Sequence, residues 1–100
     1  MEKGVPHCKL SRVKALVQAG QVKATGSAYC GARALGIDTL EGMCAVILRL
    51  VPADFYKSMT THADHTIWQD VYRPCSPDGD RIYLKLTVID DVLVVSFKEL

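Results

Sequence analysis

The sequence predicts an α+β fold: N-terminal helices packed on one face of a mostly antiparallel sheet. Three observations carry this. Apolar residues recur at helical spacing in the first half and alternate at strand spacing in the second. The chain is 100 residues long, which is room for one hydrophobic core and no more. Both halves therefore belong to a single domain, residues 1–100.

The first helix is expected over residues 10–20, with Ser11 as N-cap, Val13, Leu16 and Val17 as its apolar stripe, and Gly20 just past its end. A short strand, Gln21–Ala24, follows. The second helix runs from Thr25 as cap to Leu35 and is closed by Gly36, although Gly31 weakens its interior. The third is the clearest. Asp38 and Glu41 form a D-x-x-E capping pattern, and Leu40, Met43, Cys44, Ile47, Leu48 and Val51 share one expected core face before Pro52. The period then changes. Phe55–Thr60 and Thr66–Arg73 read as strands, with Trp68 and Tyr72 turned toward the helices. Residues 74–79 read as a loop. In Arg81–Ile89, Ile82, Leu84, Leu86 and Val88 alternate with Tyr83, Lys85 and Thr87. Asp90-Asp91 makes a two-residue turn into the closing strand, Val92–Lys98.

Composition narrows the function. With 49% apolar and 23% charged residues, the chain is not disordered. Its longest apolar run, Met43–Leu48, is too short to span a bilayer. The first residues lack a hydrophobic signal core, which predicts a cytoplasmic protein with no membrane partner. A net charge of +1 argues against a generic polyanion binder. Residues 1–50 hold seven basic and three acidic side chains, residues 51–100 five and eight. Many of the later acids sit in expected turns, at Asp78, Asp80, Asp90 and Asp91. Cys8, Cys30, Cys44 and Cys75 form no C-x-x-C pair and read as free thiols, Cys44 as a small core residue.

The turn at Asp90-Asp91 sets a register. Thr87 then faces Val94, Lys85 faces Ser96 and Tyr83 faces Lys98. Tyr83, Lys85, Ser96 and Lys98 share a face opposite the apolar set. The preceding strand joins it in one of two parities, bringing either Gln69 and Arg73 or Asp70 and Tyr72 to that face. Lysine, arginine, tyrosine and glutamine on one sheet face suit a phosphodiester. The cations neutralise the phosphorane of RNA cleavage, and a lysine of lowered pKa can act as base on the 2′-OH. Tyrosine can donate a proton or stack on a base. No metal or cofactor is needed. Two other patterns compete. His62 and His65, in H-x-x-H spacing, suit a metal or a histidine-dyad ribonuclease, or simply a solvated turn.

The residues also carry a family resemblance. Asp54–Thr61, Asp64–Pro74, Tyr83-Leu84-Lys85, Asp91–Leu93 and Val95–Glu99 resemble the MqsR toxins, as do Met1-Glu2-Lys3, Pro6-His7, Leu10-Ser11, Val13-Lys14 and Ala19–Val22. The resemblance covers essentially the whole chain. It implies a RelE-like fold and an endoribonuclease that cuts mRNA, commonly at GCU, and arrests growth, with links to biofilm formation and persistence. It implies an MqsA-type antitoxin partner whose N-terminal part binds zinc and whose C-terminal part binds DNA, so that DNA is reached only through the antitoxin. Carried over by motif, the catalytic residues are Lys57, Gln69, Tyr83 and Lys98. Arg73, Lys85 and Tyr56 complete the expected substrate-binding set. The resemblance favours the parity that brings Gln69 to the face of Tyr83. The alternative reading is an antitoxin-binding module that acts mainly in transcriptional autoregulation.

Overall fold

The sheet is built outward from its closing hairpin. Asp90 and Asp91 both take left-handed backbone angles (φ 51° and 60°), as a tight primed turn requires. This sets β5 (Ile82–Ile89) against β6 (Val92–Glu99), pairing Ile89 with Val92, Lys85 with Ser96 and Tyr83 with Lys98. The hairpin register read from the sequence is the one the chain adopts. The computed structural model of the chain describes residues 1–99.

Four further strands complete the sheet. β1 is Glu2–Lys3, β2 Val22–Ala24, β3 Phe55–Thr60 and β4 Trp68–Tyr72. Their spatial order is β1-β3-β4-β5-β6-β2. All neighbours are antiparallel except β2, which runs parallel to β6. β4 is shorter than the expected 66–73. β1 was not anticipated; two residues are too few to show a period.

The helices are α1 (Leu10–Gln18), α2 (Gly26–Ala34) and α3 (Leu40–Leu48). Thr25 caps α2 as expected, its hydroxyl oxygen accepting from the Ala28 N–H at 3.1 Å. Two other caps fall elsewhere. Lys9, not Ser11, is the N-cap of α1 and supplies only backbone. Thr39, not Asp38, caps α3 by accepting from the Gly42 N–H at 3.0 Å. The buried face of α3 is also rotated from the expected stripe. Met43, Val46 and Ile47, with Leu50 just beyond, are buried, whereas Leu48 and Val51 are exposed and Cys44 is half-buried. Lys14 of α1 donates to the Leu50 carbonyl at 2.7 Å. That link ties the two helices together just past the end of α3.

The core lies between helices and sheet. Ile82, Leu84, Leu86, Leu93, Val95 and Phe97 meet Val13, Ala28, Ala32, Met43 and Ile47. Contact is closest where α2 crosses β6. A Cβ at Gly31 would collide with the Phe97 carbonyl oxygen, so the glycine that costs α2 helical propensity is what lets it lie on the strand. Tyr72 is buried there as expected, 1% exposed, and stacks edge-on against Phe55. Trp68 is covered differently, by the N-terminal segment. His7 stacks on its ring at 5.5 Å and the Lys3 ammonium sits 4.1 Å from its centroid.

That segment is held by Asp70, which is 2% exposed. Its carboxylate accepts from the backbone N–H groups of His7 and Cys8, both at 2.9 Å, and from Ser58 Oγ at 2.7 Å. Gly31→Ala should destabilise the protein by about 2–3 kcal/mol through overpacking. The expected readout is a lower urea midpoint at unchanged m-value.

Candidate active site

Side chains alternate along a strand, so the residues between core positions face the other way. β3 and β4 pair Lys57 with Val71, Ser58 with Asp70 and Met59 with Gln69. β4 and β5 pair Val71 with Lys85. Asp70 and Ser58 point toward the helix layer, which sends Lys57, Gln69 and Val71 to the open face. Of the two parities the sequence allowed, the chain takes the one that brings Gln69 and Arg73 there.

The open face then reads as three rows. The middle row is Lys57, Val71, Lys85 and Ser96. One row holds Arg73, Tyr83 and Lys98, with Tyr56 beside Arg73. The other holds Met59, Gln69, Thr87 and Val94. Tyr56 reaches the face through a β-bulge between Phe55 and Lys57, a device that re-aims a side chain. The Arg73 guanidinium covers its ring at 4.0 Å and Lys57 Nζ lies 5.3 Å from it. Lys98 Nζ sits 4.9 Å from the Tyr83 ring centroid.

Six of the seven expected site residues fall in two adjacent rows. Gln69 does not. In the third row it neighbours Lys57, and ladder spacing puts the backbones of both Gln69 and Lys57 about 16–17 Å from that of Lys98. The expected quartet therefore spans the face as two pairs, Lys57 with Gln69 and Tyr83 with Lys98. His62 and His65 are exposed in the β3–β4 connection, outside this ladder.

Two features were missed in the sequence. The first is a pair of covered positions. Val71 in the middle row is 0% exposed and Thr87 in the Gln69 row 6%, although both belong to the open face. The second is Glu2. Its pairing opposite Met59 brings its carboxylate to the same face, where Oε1 lies 2.5 Å from Lys57 Nζ. This contact changes the chemistry expected of Lys57. Hydrogen bonding to Glu2 holds the ammonium above the ordinary lysine pKa, not below it as a general base would need. The same bond holds the Glu2 carboxyl below its ordinary value. Tyr72, on the core face, is pushed up to about 12 by burial and stays neutral.

The chain is similar to known proteins over nearly its whole length. The family described as "Motility quorum-sensing regulator, toxin of MqsA" matches residues 5–99. The chain belongs to this MqsR toxin family. It is 63% identical over 99 residues to the mRNA interferase toxin MqsR of Escherichia coli (strain K12), with 99% of each chain covered. Every row of the open face lies within the matched span except Glu2, which precedes the family match but falls in the β1 strand.

The sign of the ion-pair effect is testable. A raised lysine pKa stabilises the folded state below the ordinary lysine value, and that contribution is lost as pH rises through the folded value. A depressed carboxyl pKa stabilises above the ordinary carboxyl value and is lost as pH falls through the folded one. The contact thus persists across the whole neutral range. In Glu2→Gln the Lys57 titration midpoint, followed by NMR at its Cε, should move down toward the ordinary lysine value.

Proposed function

We propose that the open sheet face is the active site of a metal-independent endoribonuclease, an mRNA interferase that arrests translation and growth. The observation that carries this is the gathering of Lys57, Arg73, Lys85, Lys98 and Tyr83 on two adjacent rows of one open sheet face. The mRNA interferase name of the Escherichia coli relative supports the substrate class. Cleavage at short GC-containing sites, GCU foremost, is the expected preference.

In this reading the ribose 2′-OH attacks the adjacent phosphate, losing its proton to water, and the 5′-oxygen leaves; water returns a proton to the group that protonates it. The products are a 2′,3′-cyclic phosphate and a 5′-OH. The attack places extra negative charge on the phosphorane. Lys57, Lys98 and Arg73 neutralise it from fixed positions, so little reorganisation is needed as the charge develops. Lys57, whose contact with Glu2 in the free chain marks it as a protonated ammonium, meets the phosphate as cation and not as base. Tyr83 protonates the departing oxygen. Lys85 and the Arg73-covered ring of Tyr56 hold the flanking nucleotides, by charge and by stacking. Gln69, one row and more away, orients the substrate beyond the reacting bond.

The partner is an antitoxin of the MqsA type, in keeping with the family description. Its zinc-binding N-terminal part would engage this chain, and its C-terminal part would carry any contact with DNA.

Lys57→Ala and Lys98→Ala should each lower kcat roughly 10²–10³-fold, and Tyr83→Phe by roughly 10²–10⁴-fold. Gln69→Ala should act mainly on KM. Cleavage of a defined RNA, followed in EDTA with the ends mapped, checks all four. Activity lost in EDTA and restored by Mg²⁺ would contradict the metal-free mechanism. Intact RNA beside tight antitoxin binding would favour the binding-module alternative.

A further inference from the structure

Among the described residues, Glu2 is the only carboxylate at a ladder position of the open face, and the proposed chemistry does not use it. It arrives on a strand of two residues. That strand is tethered on both sides. The Met1 ammonium donates to Thr60 Oγ1 at 3.1 Å and the Met1 carbonyl accepts from the Thr60 N–H at 3.0 Å. Downstream, Asp70 grips the backbone at His7 and Cys8. The tethers fix the backbone of β1, while the Glu2 side chain stays 57% exposed and free to swing away from its partner. An exposed ion pair of this kind is weak, so another anion can take its place.

We propose that Glu2 competes with RNA for Lys57: in the free toxin its carboxylate occupies the ammonium that an RNA phosphate takes over on binding. This rests on the proposed active site, since it requires Lys57 to meet the phosphate.

The competition leaves a mark on the salt dependence. A lysine that meets a phosphate on a single strand ordinarily releases counter-ions and adds about 0.7 to the slope of log affinity against log salt. Lys57 instead exchanges one carboxylate for one phosphate, and the freed carboxylate takes up a cation from solution. Its contact therefore adds almost nothing to the slope. Glu2 acts on association and not on bond breaking, because the bound phosphate has already displaced it.

The test uses the full chain and a single-stranded RNA carrying 2′-O-methyl at the cleavage site, so that it binds without being cut. Affinity is measured by fluorescence anisotropy across a KCl series for the wild type, Glu2→Gln, Lys57→Ala and the double variant. Glu2→Gln is expected to tighten binding about threefold to fivefold at low salt, the size of an exposed ion pair, and to steepen the slope by about 0.7. With cleavable RNA, KM should fall by the same factor while kcat moves less than about twofold. In the Lys57→Ala background, Glu2→Gln should change affinity very little. Equal tightening in both backgrounds would overturn the inference, since Glu2 would then act as a general charge. Wild-type affinity and slope in Glu2→Gln, with RNA weakened by Lys57→Ala, would overturn it and leave the active site standing. Binding unaffected by Lys57→Ala would overturn both. A large fall in kcat in Glu2→Gln would place Glu2 in the chemistry and also overturn it. Melting curves matching the wild type separate these outcomes from a loss of fold.

Discussion

The buried carboxylate of Asp70 is the constraint on which the rest of the molecule depends. It accepts three hydrogen bonds, from Ser58 Oγ and from the His7 and Cys8 backbone. A buried charge left unpaired costs several kcal/mol, so the three donors are not optional. Ser58 lies directly across β3 from Asp70, and their bond pins the register of the two strands. Because side chains alternate, that register also decides what faces outward. A slip of one residue would turn Lys57 into the core and Ser58 into solvent. The other two bonds hold the N-terminal segment over Trp68 and, with the Met1–Thr60 contacts, bring Glu2 to the sheet edge. One side chain on the core face thus organises the chemistry of the opposite face.

On the proposed reading, that opposite face is how a chain of net charge +1 addresses a polyanion. The acids at Asp78, Asp80, Asp90 and Asp91 are exposed in turns, while Lys57, Arg73, Lys85 and Lys98 converge on two rows of the sheet. Between Lys57 and Lys85 the Val71 side chain is fully buried. Cations flanking a dry apolar position are partly screened from water on one side, which strengthens their pull on a developing negative charge. The average charge reports solubility. The local arrangement reports function.

Much of this was legible in the sequence, and the failures have physical causes. The hairpin register followed from a turn whose two residues tolerate left-handed angles, and Tyr83 opposite Lys98 followed from it. The β4–β5 parity could not be settled from the strand residues alone, because the two strands are joined by the loop of residues 74–79 and not by a two-residue turn. Thr39 instead of Asp38 caps α3, and Val46 and Leu50 replace Leu48 and Val51 in its core. The helix is only nine residues long, and a stripe of that length is rotated easily by what it packs against. The family motifs named Lys57, Gln69, Tyr83 and Lys98 together, but only ladder geometry shows them as two pairs, Lys57 with Gln69 and Tyr83 with Lys98. Glu2 escaped notice because a two-residue strand has no period to read. Its absence from the sequence reading mattered, since its contact raises the Lys57 pKa, the opposite of what a lysine acting as base needs.

The central claim is that RNA binds the open sheet face and not the helix layer. The most direct measurement is an NMR titration of the protein with single-stranded, uncleavable RNA, following the lysine Cε signals. Shifts are expected at Lys57, Lys85 and Lys98, with Lys9 and Lys14, on the helix side, unmoved. Shifts at Lys9 and Lys14 without change at the sheet lysines would contradict it.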